Sequence, residues 1–470
     1  MTLDLFHLPG LRDDDVAGWE VGEAAPGAAP IRWPRLRPQG LRRLMTGLVA
    51  ARERHLLECR TGSLVAALDA AAARLEDAGS PEGALARSAL PALTGYSPPM
   101  AEWVIERTCA DWRAAALWRL LKAEFPDPSV LESFRPSGDE DQGPRRRAMG
   151  PRLAFHVFAG NVPGVAVTSL IRSLLVRSAT LGKTASGEPL LAPLFARALA
   201  GVDPALGACV AATYWPGGAS ELEAVALDGA DTIIVYGGAE AVADLRARAP
   251  ATTRFVEHGP RVSFGMVGQG ALEPQGLDAL LADVALAVAT FDQHGCVSPH
   301  VVYVEKGGAV APPVFAGLLA EALGRLEEEL PRGRISAAEA AAVHQARAAA
   351  EFRAGPGGRG EVFAGPGTAY TVIYDPDPAL ELSCLNRVVR VKPLERLEEV
   401  VDRLGVLRGM VQTVAVAGAG GRLAGLAELL GRAGVSRVTD FRRMPWPPPE
   451  WRHDGTEPLR ELVRWTELED

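Results

Sequence analysis

Cysteine and lysine are both scarce in this 470-residue chain, and each scarcity narrows what the protein can be. The five cysteines (Cys59, Cys109, Cys209, Cys296 and Cys384) are odd in number and widely spaced, which fits neither a disulfide framework nor the paired ligands of a zinc site. No metal is expected on that ground, and any cysteine with a special role should be a reactive thiol. Lysine occurs only at Lys122, Lys183, Lys306 and Lys392, so a lysine falling by chance at a given position is improbable. A concentrated basic stripe is also missing, and the formal charge is −9. Nucleic-acid binding rests on clustered Lys and Arg that neutralise phosphates, so it is not expected here. The short run Arg145-Arg146-Arg147 reads as a solvated loop. No uncharged stretch reaches the roughly 18 residues of a membrane span, and MTLDLFHLPGLRDDD has no basic segment leading into an apolar one. The expectation is a cytoplasmic protein with no signal peptide and no membrane span.

What is present is a chain long enough for about three domain-sized units, with 48% apolar residues to fill their cores. Apolar residues recur at three and four positions through LRRLMTGLVAARERHLLECR, SLVAALDAAAARLEDAG and MAEWVIERTCADWRAAALWRLLKAEF, which predicts helices over 39–125. The polar, Gly- and Pro-rich stretch PSGDEDQGPRRRAMGP reads as a loop or an exposed hairpin. Beyond it, short apolar runs (LAFHVF, ACVAATYW, DTIIVYGG, RVSFGMVG) alternate with helical segments, which predicts βαβ units on a parallel sheet. A second alternating region spans 257–440, with strands expected at VVYVE, AYTVIYD and VVRVKPL. The remainder, 441–470, reads as a Pro-rich arm closed by a short amphipathic helix over EPLRELVRWTELE. The chain shows no internal repeat.

Several turns carry residue types suited to chemistry. LAFHVF runs into Ala159-Gly160-Asn161-Val162-Pro163-Gly164, a sharp turn that brings backbone N–H groups and a helix start to the carboxyl edge of a sheet, or serves as a plain connection. Lys183 closes the next apolar step, followed by Ser186, and is either a cofactor cation or a surface lysine. Gly237-Gly238 would let the backbone approach a pyrophosphate, or is an ordinary turn. Phe291-Asp292-Gln293-His294-Gly295-Cys296 is the most informative segment, because an apolar helix ends there at a Gly-Cys step before a strand. A thiol at such a junction suits a nucleophile, and a buried structural cysteine is the alternative. His258 and His294 are given no role, since a lone histidine is more often structural.

Taken in order, these segments resemble the aldehyde dehydrogenase superfamily, and most closely its acyl-CoA reductases of the bacterial luminescence (LuxC) type, over roughly 90–470. The branch-specific marks are LTGYSPPM (93–100), the GNVPG turn, FDQHGCVSP, Leu385-Asn386-Arg387, and Trp451-Arg452-His453-Asp454-Gly455 followed by LVRW. Gly160-Asn161-Val162-Pro163 resembles the superfamily's Trp-Asn-Phe-Pro turn, Lys183 its cofactor lysine, Gly237-Gly238 its Gly-Ser pyrophosphate turn, and Cys296 its nucleophile. Ser186 stands where NAD-preferring members often place a glutamate, so the implied cofactor is NADPH. The Glu-Leu-Gly-Gly-Lys motif is here Glu257-His258-Gly259-Pro260-Arg261, which leaves Glu257 kept, repositioned or idle.

The resemblance implies an α/β fold of the aldehyde dehydrogenase kind. A helical N-terminal region with a Rossmann-type NADP-binding domain is expected over 1–256, a catalytic domain over 257–440, and an arm suited to oligomerisation over 441–470. It further implies that Cys296 takes an acyl group from acyl-CoA or another acyl thioester, with the Asn161 side chain and the Cys296 N–H holding the oxyanion, before reduction to aldehyde. An acyl-donating partner protein and a homo-oligomer are expected on the same footing. Oxidation of an aldehyde to an acid, with Glu257 activating water, and a non-reducing acyl carrier remain the alternatives.

Overall fold

The computed structural model describes residues 2–23, 30–136, 144–354 and 360–469. They form two compact units, one built from Met1–Thr94, Ala101–Gly259 and Pro448–Asp470, the other from Gly95–Met100 and Pro260–Pro447. The C-terminal stretch is therefore divided, with 441–447 in the second unit and 448–470 in the first.

The first unit is organised by a five-stranded parallel sheet in the order Arg254–His258, Thr232–Tyr236, Leu153–Val157, Ala179–Thr184, Val210–Tyr214. Helices cover parallel strands on both faces, so such strands read as continuous apolar runs, and LAFHV and TIIVY do. The first strand in the chain lies at the centre, and the fourth turns back to its other side. The sheet therefore has its topological switch between Leu153–Val157 and Thr232–Tyr236, where doubly wound sheets open a binding crevice at the carboxyl ends. Leu153, Phe155, Leu181, Ile233 and Val235 anchor the core beneath that edge. Each such side chain contributes roughly 1.5–3 kcal/mol on burial, which fixes the strand ends and the turns they carry.

Helices Thr61–Glu76, Pro81–Thr94, Pro98–Asp111 and Ala114–Glu124 fall within the expected helical span. Three features differ from the sequence reading. An antiparallel pair, Val16–Glu23 with Pro30–Leu36, precedes the first helix. The expected amphipathic helix at the C-terminus is instead a short turn, Arg460–Leu462, and a strand, Arg464–Leu468. That strand pairs antiparallel with Arg145–Met149, so the three arginines read as a solvated loop lie in a strand. Trp465 accounts for the pairing, since it lies 5.0 Å from the Arg146 guanidinium and 6.0 Å from the Phe125 ring. Buried Glu124 accepts from the N–H groups of Leu459 and Arg460, which pins the approach to the strand. Residues 137–143 of the expected loop or exposed hairpin lie outside the described residues, and the flanking Arg135–Pro136 pairs antiparallel with Arg145–Met149, as the hairpin alternative requires.

The second unit holds a seven-stranded sheet in the order Glu361–Ala364, Thr371–Tyr374, Val388–Leu394, Pro299–Glu305, Val262–Val267, Val411–Ala417, Arg437–Thr439. All its pairings are parallel except that of Glu361–Ala364 with Thr371–Tyr374. Helices Leu277–Ala289 and Pro312–Glu329 pack on one core, with Val302, Val304 and Phe315 inside it.

Candidate active site

In the first unit, three of the sequence-selected turns sit at the carboxyl edge of the sheet. Asn161 is exposed on the turn between Leu153–Val157 and the helix Val165–Leu175. The glycines beside it are required. Gly164 has φ +91° and an added Cβ would come within 2.7 Å of Thr108, while one on Gly160 would meet the Gly187 Cα at 2.9 Å. Lys183 lies one strand over, in register with Val157, and is half-buried with Nζ 5.9 Å from the Trp215 ring centre. Burial pulls its ammonium below the usual lysine range, and Glu223 opposes that pull.

Ser186 is exposed just beyond Lys183, and the nearest carboxylate in the chain, Glu188, is already engaged. Glu188 is buried, and its Oε1 accepts from the N–H groups of Leu190 and Leu191 at 2.8 Å each, at the start of the helix Leu191–Val202. Gly237 donates its N–H to the His258 carbonyl at 3.2 Å, so that donor is committed within the protein. Gly238 caps the helix Ala239–Arg248, and nothing stands within 4 Å of where its Cβ would be. The protein's own packing does not demand glycine there, so the open space is available to a bound group. Glu257 is exposed and pairs with Arg246 at 2.8 Å. This pairing is what the structure shows of the residue whose role the sequence leaves open.

In the second unit, Cys296 stands in a turn closed by the Ser298 N–H donating to the Gly295 carbonyl at 2.9 Å, immediately before the strand Pro299–Glu305. The thiol residue is half-buried, whereas Cys109 and Cys209 are buried. Burial pushes the Cys109 and Cys209 thiols up to about 12, and also raises those of Cys59 and Cys384. The Cys296 carbonyl accepts from Ser263 Oγ at 2.7 Å, and that oxygen accepts from the Thr413 N–H at 3.1 Å, tying the turn to two neighbouring strands. Arg437 is held by carbonyls, donating to Met444 at 2.8 Å and Arg443 at 2.7 Å. Burial draws its guanidinium down to about 10, against the opposing charges of Asp440 and Cys296, so it is a cation at neutral pH within electrostatic reach of the thiol.

Behind Cys296 the backbone is unusual. Phe291, Asp292 and Gln293 have φ of 55°, 48° and 70°, and Leu385, Asn386 and Arg387 have φ of 67°, 57° and 61°. The two left-handed runs lock together. Gln293 donates to the carbonyls of Pro299 (2.8 Å) and Val388 (2.9 Å) and accepts from the Val388 N–H at 2.9 Å, while His294 meets Asn386 at 3.1 Å. Sequence reasoning singled out both segments but assigned work to neither Gln293 nor Arg387. Ser263 and Arg437 were missed altogether, because neither carries a local signal.

Comparison with known proteins was consistent with this geometry. The family described as acyl-CoA reductase (LuxC) matches residues 56–465. The chain is 26% identical to the long-chain acyl-protein thioester reductase of Aliivibrio fischeri, over 80% of this chain and 75% of that one. It is 24% identical to long-chain acyl-protein thioester reductase 2 of Photobacterium leiognathi, over 79% and 74%. Among solved structures it superimposes on aldehyde dehydrogenase 21 from Physcomitrella patens with a TM-score of 0.75, covering 99% and 98% of the two chains at 14% identity. An oxidoreductase from Marinobacter aquaeolei gives 0.74, covering 98% and 97% at 17% identity. The fold is that of the aldehyde dehydrogenases.

Proposed function

Because this chain belongs to the LuxC acyl-CoA reductase family, we propose that it reduces an acyl thioester to an aldehyde with NADPH, carrying the acyl group on Cys296. The observation that carries this reading is the setting of Cys296: a half-buried thiol in the turn that opens a sheet strand, with Arg437, held by backbone carbonyls, within electrostatic reach. A cation near a thiol favours the nucleophilic thiolate.

In this mechanism the Cys296 thiolate attacks the carbonyl carbon of the donor thioester, and Asn161 donates to the oxygen as it becomes an oxyanion. The C–S bond of the donor breaks, its thiol leaves with a proton, and the acyl group remains on Cys296. Exchange of one thioester for another is nearly isoenergetic, so acylation needs no further energy source. Bound NADPH would supply the hydride that takes the acyl carbon to the aldehyde level. Collapse of the resulting thiohemiacetal frees the aldehyde and returns the Cys296 thiolate.

The first unit suits such a cofactor. Its sheet has the doubly wound order, the open approach at Gly238 admits a pyrophosphate, Lys183 supplies a cation, and Glu188 is turned inward, so no free carboxylate follows Lys183 to oppose a 2′-phosphate. The relatives named as acyl-protein thioester reductases broaden the donor to an acylated protein as well as acyl-CoA, since Cys296 performs the same exchange on either. Pairing of Glu257 with Arg246 supports reduction over acid formation, because a base for water gains nothing from a surface ion pair.

The test is incubation with labelled long-chain acyl-CoA, then NADPH and direct detection of aldehyde, beside Cys296→Ala and the four other cysteine-to-alanine variants. The expected outcome is base-labile label and aldehyde in all but Cys296→Ala. Label on Cys296→Ala, or free acid as the product of the parent enzyme, would overturn the reading.

A further inference from the structure

Neither His258 nor the 451–455 segment that marks the family has a place in acyl transfer as Cys296 and Asn161 carry it, yet the two meet in the first unit. His258 ends the strand Arg254–His258, and Asp454 stands in the turn His453–Gly455. His258 Nδ1 lies 3.2 Å from Asp454 Oδ2, and the two side chains are only 9% and 5% exposed. A carboxylate can only accept, so Nδ1 carries its proton and Nε2 is the nitrogen left to gain and lose a second one. The ring cannot turn freely, because Tyr236 packs on it at 4.4 Å and His453 at 4.3 Å, with interplanar angles of 23° and 11°. Asp454 is fixed too, by a left-handed φ of +55°. An imidazole held by a buried carboxylate is the arrangement in which a histidine moves protons to and from a reacting group.

Its position suits that work. The His258 carbonyl accepts from the Gly237 N–H at 3.2 Å, so the residue stands beside the Gly237-Gly238 turn at the carboxyl edge of the sheet. The strand before Asn161 pairs with Thr232–Tyr236, which in turn pairs with Arg254–His258. Neighbouring strands lie about 4.8 Å apart, so the strand ends that carry Asn161 and His258 are separated by roughly 10 Å, within the span of a bound thioester and its leaving group. A cavity of 20 Å³ beside His258, bordered by Glu457 and Glu461, has room for one water through which solvent can restore a proton.

Reduction of a thioester consumes a proton as well as a hydride, and that proton ends on the departing thiol. We propose that His258 supplies it. As the C–S bond of the donor breaks, the imidazolium passes its Nε2 proton to the leaving sulfur, the ring becomes neutral, and solvent returns a proton to Nε2. Asp454 and His453 are positioning residues that hold the ring. The assignment rests on the acyl-cysteine reading and adds to it the group that releases the donor's thiol. Sequence alone gives His258 no role, because its partner lies 196 residues further along the chain.

The experiment compares two donors on the full chain. Acyl-CoA must release a basic thiolate, which a proton helps to leave, whereas an S-phenyl thioester of the same acid releases a thiolate that leaves unaided. His258→Gln should slow burst acylation from acyl-CoA at least tenfold and leave acylation from the S-phenyl thioester within a few-fold of the parent. NADPH should then reduce the acyl-enzyme so formed at the parent's rate. Asp454→Asn keeps the shape of the side chain and should show the same selectivity at smaller size, so it answers the question even where His258→Gln fails to fold. A merely structural role predicts equal slowing with both donors and a lowered Tm. Equal slowing, or no slowing with acyl-CoA, would overturn the proposal, while label on Cys296 would leave the acyl-cysteine reading intact. A parent enzyme that takes label from neither donor would overturn both.

Discussion

Arg387 and Asp292 form a buried ion pair at 2.8 Å, with side-chain exposures of 1% and 6%, and each sits in the middle or at the end of a run of left-handed backbone. Such conformations cost roughly 1–3 kcal/mol per residue and persist only where the surroundings over-determine them. The surroundings here are three of the motifs that mark the family. Asp292 also accepts from the Gly333 N–H at 3.0 Å, Arg334 donates its N–H to the Gly95 carbonyl at 2.7 Å, and a Cβ on Gly333 would strike that carbonyl. LTGYSPPM, FDQHGCVSP and Leu385-Asn386-Arg387 thus form one support behind the Cys296 turn.

Removing one partner of such a pair leaves a charge buried. Arg387→Met should therefore cost about 3–5 kcal/mol of stability, read as a lower urea midpoint. Asp292→Asn keeps the acceptor toward Gly333 but loses the charge, and should slow acylation of Cys296 while leaving NADPH binding within a few-fold of the parent. An Arg387→Met protein as stable as the parent would show that the pair does not hold the runs together.

Arg437 makes a prediction in pH. Its guanidinium, drawn down to about 10, stays protonated below that value, so its charge is constant across the neutral range. The pH dependence of Cys296 alkylation between about 5 and 9 then reports the thiol alone. Arg437→Met removes the nearby cation and should move the rise in alkylation rate upward by about one pH unit. Iodoacetamide kinetics on a background lacking the other cysteines measure this, and an unmoved profile would remove Arg437 from the account.

Ser186→Glu tests the cofactor reading. A carboxylate beside Lys183 would repel a 2′-phosphate, so the ratio of kcat/KM for NADPH over NADH should fall by at least tenfold. Glu188 provides the control, since its carboxylate is committed to the N–H groups of Leu190 and Leu191 and is not available to a cofactor. An unchanged ratio would mean that the preference is set elsewhere.

How far the chain could be read depended on how local each signal is. The strands Leu153–Val157 and Thr232–Tyr236 were legible because burial on both faces leaves an apolar run in the sequence. Arg464–Leu468 was not, because all five residues are exposed and carry no period; its identity comes from pairing with Arg145–Met149, more than three hundred residues earlier. The hairpin of Val16–Glu23 and Pro30–Leu36 escaped for a related reason, as apolar Trp19 and Val21 stand at its exposed positions while Glu20 is half-buried, so hydrophobicity does not follow the alternation of burial. Cys296 was visible through its Gly-Cys junction and the motifs around it. Ser263, Arg437 and the pairing of His258 with Asp454 were not, since each depends on strands or segments that meet only in the folded protein.

Asn161 gives the sharpest test of the chemistry. It is exposed on the turn at the switch point of the first unit's sheet, and the flanking glycines fit that turn by close approach to the Gly187 backbone and the Thr108 side chain. If Asn161 donates to the oxyanion, Asn161→Ala should lower kcat by about 10²–10³, or roughly 3–4 kcal/mol of transition-state stabilisation. Both acylation and hydride transfer should slow, because each passes through a tetrahedral oxyanion, while NADPH binding stays within a few-fold. If the side chain merely caps the turn, its loss should lower stability by about 1 kcal/mol and leave both rates intact. Stopped-flow acylation, single-turnover reduction and a melting curve on the same protein separate these patterns. A folded Asn161→Ala enzyme with normal rates in both steps would sink the oxyanion role, because Gly160 and Gly164 would then account for the whole turn.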